Sequence, residues 1–80
     1  MAIKKVLIVD DSATDTHLLS EMLKKNGYSI LTATSGEEAI NKAKKDKPDL
    51  ILMDIVMPGM SGFEATRAIT KDPETASIPV

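Results

Sequence analysis

Residues 50–54 read LILMD, four apolar residues that end at a carboxylate, and residues 6–10 read VLIVD, which is the same pattern. A third apolar stretch covers residues 28–33. Two of the three runs are continuous rather than alternating, which is typical of strands that are covered on both faces of a parallel sheet. The three runs therefore predict three strands, two of which end at an aspartate.

The segments that follow these runs have the signatures of helices. Ser12 is in position to cap the first helix, and the Asn-Gly pair at 26–27 is in position to end it. In the second and third segments a glutamate follows a serine by three residues, which is the capping-box pattern. These pairs are Ser35 with Glu38 and Ser61 with Glu64.

The first helix should also present one apolar face to the sheet. That face consists of Leu18, Leu19, Met22 and Leu23. The order of elements is βαβαβα, followed by residues 77–80, which have the pattern of another strand's start. Alternating strands and helices form a parallel sheet with right-handed connections. We therefore predict an α/β fold with a doubly wound parallel sheet in the strand order 2-1-3.

Composition excludes several classes of protein. The 80 residues suffice for one small domain, and an apolar fraction of 42% is too high for a disordered tail. A net charge of -2, with both signs interleaved and few aromatic residues, argues against a nucleic-acid partner. Without cysteine there are no disulfides or thiolate metal sites, and the apolar run at 6–9 is too short for a signal peptide or a membrane span. We expect a cytoplasmic protein with no membrane partner.

Three aspartates leave the predicted sheet at one edge. Asp10 and Asp11 follow the first strand, and Asp54 follows the third. Ligands of open parallel sheets bind beyond the carboxyl ends of the strands, where the strand order reverses, and here that point lies over strands one and three. Like charges about 4 Å apart cost on the order of 1 to 4 kcal/mol, which a hard cation removes. The cluster therefore predicts a Mg²⁺ site suited to phosphoryl transfer.

A simpler interpretation of these aspartates is open at this point. An aspartate after a strand is usually a cap or a turn residue, and Asp10 and Asp11 directly precede Ser12. Asp54 is harder to explain in that way, because no helix follows it at once. The only histidine, His17, falls on the polar side of the first helix, so we expect it to be exposed and not a phosphoryl donor.

Residues 6–12 (VLIVDDS) and 49–62 (DLILMDIVMPGMSG) together resemble the receiver domains of two-component response regulators, and the resemblance covers essentially the whole chain. It implies the flavodoxin-like receiver fold and a signalling module that accepts a phosphoryl group. Residues 53–80 look similar to single-domain regulators of twitching motility in type IV pilus chemosensory systems, and chemotaxis is the related role. The implied partners are a sensor histidine kinase, or its phosphotransfer domain, and a downstream protein target.

The resemblance also implies a role for each site residue. Asp54 would be the phosphoacceptor and would catalyse only its own phosphorylation and dephosphorylation. Mg²⁺ would be bound by the side chains of Asp11 and Asp54, by the backbone carbonyl of Val56 and, mostly through water, by Asp10. The loop after the third strand would be shaped by Met57, Pro58 and Gly62. We expect this last glycine to adopt a backbone dihedral that other residues disfavour.

Receiver domains normally contain two further βα units, with a Ser or Thr after the fourth strand and a Lys after the fifth that contact the phosphoryl group. Neither position lies within residues 1–80. We therefore expect an incomplete receiver domain in which switching is impaired. The third strand would then be an edge without internal charge or proline, and we expect it to pair with another copy of the chain or with the missing segments.

Two other functions stay open on the sequence alone. The chain could be a phosphohydrolase or phosphotransferase that forms an aspartyl phosphate, but such enzymes usually carry a second carboxylate two residues after the nucleophile, and Val56 stands there. It could also be a non-signalling interaction fragment, because the switch residues are missing. Turnover of a phosphomonoester would indicate the first function, and partner binding without phosphorylation would indicate the second.

Overall fold

A computed structural model describes residues 3–54 and 61–80 of the chain. The three strands are β1 (Lys5–Val9), β2 (Ser29–Ala33) and β3 (Leu50–Met53). They form a parallel sheet in the order β2-β1-β3. Val9 is in register with Ala33 on one side and with Met53 on the other, so the three strands end at the same edge. The predicted fold class and strand order are confirmed.

The three helices begin at the predicted serine caps. They are α1 (Ala13–Lys25), α2 (Gly36–Asp46) and α3 (Gly62–Lys71). In each case the serine oxygen accepts the backbone N–H three residues ahead, at 3.4 Å for Ser12, 3.1 Å for Ser35 and 3.2 Å for Ser61. In residues 3–54 and 61–80, none of the helices has the length and the apolar character needed to span a membrane.

The predicted end of α1 is confirmed, whereas the predicted capping box of α2 is not formed in its standard form. Asn26 ends α1, and Gly27 follows with a φ of 90°, which glycine adopts without the steric cost of a Cβ atom. On α2 the Glu38 carboxylate accepts the N–H of Thr34, one residue before the serine cap. A standard capping box would bond the N–H of Ser35, so the predicted box is shifted by one residue.

The hydrophobic core lies between the sheet and the helices α2 and α3. Leu7 of β1 and Ile51 of β3 are 0% exposed, and Ile69 of α3 is 1% exposed. Full burial of such a side chain contributes roughly 1.5–3 kcal/mol relative to an exposed one. The other buried members of this core are Val9, Ala33, Ala39 and Ala43. The small alanines allow α2 to lie close against β1 and β2.

Helix α1 covers the opposite face of the sheet and is rotated relative to the prediction. Leu19 and Leu23 are partly buried as expected, but Leu18 is 64% and Met22 is 61% exposed. Ser20, at 7% exposed, is buried in their place. Because α1 packs mainly on β1 and β2, its buried stripe is centred toward the β2 side of the helix. The predicted four-residue apolar face is therefore wrong for Leu18 and Met22.

The outer edge of β3 is less bare than predicted. On the side of β3 away from β1, the N–H of Ile51 donates to the carbonyl of Pro79 at 2.9 Å. The segment 77–80 therefore lies beside β3, where the sequence pattern placed the start of another strand. The expectation of a wholly open edge is wrong at Ile51.

Gly62 does not have the expected dihedral. It is buried and is the first residue of α3, directly after the Ser61 cap. Within the part of the chain that the structure describes, positive φ angles occur at Gly27 and Lys47. The expectation of an unusual backbone at Gly62 is wrong, because a residue in the first turn of a helix has ordinary helical φ and ψ.

Candidate functional site

The sheet itself positions two of the three predicted aspartates. The N–H of Asp10, one residue beyond β1, donates to the carbonyl of Ala33 at 3.0 Å. The N–H of Asp54, one residue beyond β3, donates to the carbonyl of Val9 at 2.9 Å. Both backbones are thus held by a continuation of the parallel ladder, so their side chains emerge at fixed places on the same edge.

The carboxylates of Asp10, Asp11 and Asp54 converge at this edge. One oxygen from each lies within 4.8 Å of the others. Asp10 and Asp54 are partly buried, and Asp11 is exposed. The predicted meeting of residues that are more than forty positions apart in the sequence is confirmed.

Asp10 also has the turn function that the simpler interpretation assigned to it. Its Oδ1 accepts the N–H of Ser12 at 2.9 Å, immediately before α1 begins. This bond restrains the side chain of Asp10 while leaving lone pairs on both oxygens, since a carboxylate has about four acceptor sites. Asp10 is therefore both a turn residue and a member of the aspartate cluster.

A cavity of about 210 Å³ adjoins the cluster on the α1 side of the sheet. Among the residues that the structure describes, its polar lining consists of Asp10 and Asp54. Its apolar lining consists of Ile8, Val9, Leu19, Leu52 and Met53. The sequence placed these apolar residues in strands or on a helix face but gave no sign that Leu19 and Leu52 border the site, because that depends on how α1 crosses the sheet.

The donor set of the cluster fits a hard cation. All three side chains offer oxygen, which suits Mg²⁺, whereas the nitrogen and sulfur ligands that zinc sites favour are absent from the cluster. The three negative charges repel one another, and a divalent cation would replace that repulsion with attraction. The cluster therefore offers the oxygen ligands that a hard cation prefers, and Asp54, the aspartate that leaves β3, is the candidate nucleophile.

Three of the predicted site residues stay predictions. Val56, Met57 and Pro58 lie outside the described residues. His17 is exposed on α1, as expected, and is not a member of the aspartate cluster.

Comparison with known proteins shows which family the chain belongs to. Residues 6–80 match the response regulator receiver domain. The chain is 53% identical over 76 residues to protein PilH of Pseudomonas aeruginosa, which covers 95% of this chain and 63% of PilH. It is 45% identical over 78 residues to the chemotaxis protein CheY of Thermotoga maritima, which covers 96% of this chain and 65% of CheY. The chain thus spans slightly less than two thirds of the length of these relatives.

A solved structure shows the same fold together with a metal. The receiver domain of the sensor histidine kinase PA1611 of Pseudomonas aeruginosa, with a magnesium ion coordinated in its active-site cleft, matches with a TM-score of 0.90 at 29% identity. The match covers 98% of this chain and 64% of that one. Since the family match extends over nearly the whole sequence and the strand order is that of the family's fold, the chain belongs to the response regulator receiver domains.

Proposed function

We propose that this chain receives a phosphoryl group on Asp54 within a two-component phosphorelay, with Mg²⁺ bound beside the acceptor. The observation that carries the proposal is the convergence of Asp10, Asp11 and Asp54, whose carboxylate oxygens lie within 4.8 Å of one another. The ladder bonds of Asp10 and Asp54 fix their backbones. The acceptor is thus held in place by rigid elements before a donor arrives, which is what efficient chemistry requires.

The chain's own residues supply most of the proposed metal ligands. We assign the side chains of Asp11 and Asp54 to direct binding and Asp10 to binding mostly through water. The backbone carbonyl of Val56 is a further proposed ligand that rests on the family resemblance. When bound, Mg²⁺ neutralises charge on the phosphoryl oxygens. The magnesium in the active-site cleft of the PA1611 receiver supports a Mg²⁺ site in this chain.

The proposed step is a transfer between two covalent carriers. A carboxylate oxygen of Asp54 attacks phosphorus, the phosphorus–nitrogen bond of a phosphohistidine breaks, and the imidazole leaves with the bonding electrons and takes up a proton. Water later attacks the same phosphorus, the bond between phosphorus and the Asp54 oxygen breaks, and inorganic phosphate leaves the restored carboxylate. The chain therefore catalyses only its own phosphorylation and dephosphorylation and is not an enzyme that turns over an external substrate.

The proposed partners follow from the family. The donor is a sensor histidine kinase or its phosphotransfer domain, and the output is a downstream protein. The resemblance to regulators of twitching motility and the identity of 45% to a chemotaxis protein support a cytoplasmic role in twitching motility or chemotaxis. The acidic balance of the chain, with a net charge of -2, supports the absence of a nucleic-acid partner.

We further propose that residues 1–80 form an incomplete receiver domain. The support is that the chain spans 63% of PilH and 65% of CheY. The part of the β3 edge beyond the Ile51–Pro79 bond is then a surface for self-association. A chain that sediments as a monomer at high concentration would contradict this part of the proposal.

The proposal is tested by intact-mass measurement after incubation with Mg²⁺ and acetyl phosphate, a small phosphoryl donor. We expect a phosphoryl adduct that requires Mg²⁺ and is lost in Asp54→Asn. The control is Asp46→Asn, which removes the same charge at the end of α2, where the Asp46 carbonyl accepts a hydrogen bond from Lys5 at the start of β1. This control should be phosphorylated like the unchanged chain.

Each outcome has a defined meaning. An adduct in the unchanged chain and in Asp46→Asn, but not in Asp54→Asn, supports the proposal. A folded chain that forms no adduct overturns it and favours a non-signalling interaction fragment. Repeated turnover of a phosphomonoester overturns it in favour of a phosphohydrolase.

A further inference from the structure

The outer edge of β2 is open to a further strand by its position. β2 is the first strand in the order β2-β1-β3, so β1 pairs with one side of it. On that side Ser29 donates to Lys4 and Ala33 accepts from Asp10. Because alternate residues of a strand direct their backbone groups to opposite sides, those of Ile30 and Thr32 point outward.

The strand carries none of the usual protection within its own sequence. β2 reads SILTA, which contains no charged residue and no proline. An uncharged edge with free N–H and C=O groups is a template for another strand. Protection of this edge must therefore come from a neighbouring element.

Helix α2 supplies two charged side chains to this edge. Glu38 Oε1 accepts the backbone N–H of Thr34 at 2.8 Å and its hydroxyl at 3.1 Å. Glu38 Oε2 lies 3.2 Å from Lys42 Nζ, and the Lys42 ammonium donates to the carbonyl of Thr32. The pair therefore occupies an outward carbonyl of β2 and the N–H of the residue that follows the strand.

We propose that Glu38 and Lys42 form an edge guard that prevents β2 from pairing with the β2 of a second copy of the chain. The second copy is the natural occupant because the strand is uncharged and can pair with itself antiparallel about a two-fold axis, so that each residue of one copy faces its symmetry-related position on the other. A partner strand would need the Thr32 carbonyl, which the Lys42 ammonium occupies. It would also have to displace the side chain of Lys42 and leave its charge beside the new ladder.

The guard differs from simple helix capping, and the two roles can be separated. Glu38 caps the start of α2 through Thr34, so changing it would affect both the helix and the edge. Lys42 lies inside α2 and makes none of the hydrogen bonds to Thr34 that form this cap, although its ammonium pairs with the other oxygen of Glu38. Substitution of Lys42 therefore tests the guard while the Ser35 and Glu38 caps stay intact.

The test compares Lys42→Met with Lys45→Met, which removes the same charge from an exposed position of the same helix. Sedimentation equilibrium measures self-association of each folded variant. We expect Lys42→Met to associate on the order of tenfold more tightly than Lys45→Met, since the Thr32 carbonyl is released. Lys42→Arg, which keeps a cationic donor, should restore the behaviour of the unchanged chain.

A second substitution locates the contact. The N–H of Ile30 points outward and bonds to nothing in β1, so Lys42→Met combined with Ile30→Pro should abolish the added association without removing a ladder bond. Equal association of Lys42→Met and Lys45→Met would overturn the proposal. Added association that survives Ile30→Pro would overturn it as well, because the contact would then lie elsewhere, for example at β3.

Discussion

Asp10 combines two roles at the scale of a single residue. One oxygen of its carboxylate accepts the N–H of Ser12, and the side chain also belongs to the aspartate cluster. The sequence alone sets these interpretations against each other, since most aspartates after strands are turn residues. The structure reconciles them, because the turn bond restrains the carboxylate at the place where the cluster needs it.

Asp11 is the exposed member of the cluster and gives the clearest test of its electrostatics. In buffer without Mg²⁺, Asp11→Asn should raise the free energy of unfolding by up to about 1 kcal/mol, because it removes like-charge repulsion between carboxylate oxygens that lie within 4.8 Å of one another. In saturating Mg²⁺ the unchanged chain should instead have the higher free energy of unfolding. It gains more than Asp11→Asn from a cation that binds only the folded state.

Urea unfolding with and without Mg²⁺ measures both effects. Asp46→Asn serves as the control, since it removes one charge away from the cluster and should not change the stabilisation by Mg²⁺. If Asp11→Asn and Asp46→Asn are stabilised equally by Mg²⁺, Asp11 is not a ligand.

Residue-level prediction succeeded where strand position alone determined the answer. Asp10, Asp11 and Asp54 were predicted to meet because each leaves a parallel strand at the same edge, and they do. The dihedral at Gly62 was predicted wrongly from its place in a loop-like motif. The Ser61 cap already required a helix to begin at Gly62, and this local hydrogen-bond signal proved to be the stronger constraint.

At the scale of the element, the least predictable feature was the rotation of α1. A helix advances about 100° per residue, so several stripes of this sequence contain two or more apolar residues. The least exposed stripe of α1, which packs mainly on β2 and β1, consists of Thr16, Leu19, Ser20 and Leu23. The sequence could not show this, because the choice depends on which strands α1 crosses. The helix ends were predictable, since their caps are local.

Two leucine substitutions test the rotation of α1. Leu7 is 0% exposed in β1, and Leu18 is 64% exposed on α1. Leu7→Ala should lower the free energy of unfolding by about 2–5 kcal/mol, because it leaves a cavity in a packed core. Leu18→Ala should change it by no more than about 0.5 kcal/mol, as is usual for exposed positions. Urea unfolding measures both changes. If Leu18→Ala loses as much stability as Leu7→Ala, Leu18 is buried and the apolar face predicted from the sequence is correct.

At the scale of the whole molecule, three carboxylates tie separate elements together. Glu38 joins α2 to the end of β2, and Asp49 accepts the backbone N–H groups of Lys5 at 2.9 Å and Lys4 at 3.0 Å, which joins β3 to the start of β1. Asp72, beyond α3, lies 3.2 Å from the Lys44 ammonium of α2. Together these contacts link the ends of elements that the core does not reach.

The same contacts lower the pKa of each carboxyl group. The Thr34 N–H, followed by Lys42, holds the pKa of Glu38 below its ordinary value of 4.5. The N–H of Lys5 and then that of Lys4 lower the pKa of Asp49 below 3.8, and the N–H of Glu74 and then Lys44 do the same for Asp72. Each group is bound more tightly as a carboxylate than as an acid.

Stability should therefore fall in acid through these three groups. A carboxyl whose pKa is lower in the folded state contributes its full stabilisation above its unfolded pKa and loses it as the pH falls through the folded value. We expect the free energy of unfolding to decline below about pH 4.5, with a smaller decline in the variant Glu38→Gln, Asp49→Asn, Asp72→Asn, whose amides keep an acceptor oxygen but do not titrate. Urea unfolding from about pH 7 to about pH 3 measures the difference between the two curves. Parallel curves would show that these contacts do not distinguish the charged from the neutral form, and that acid destabilises the fold through other groups.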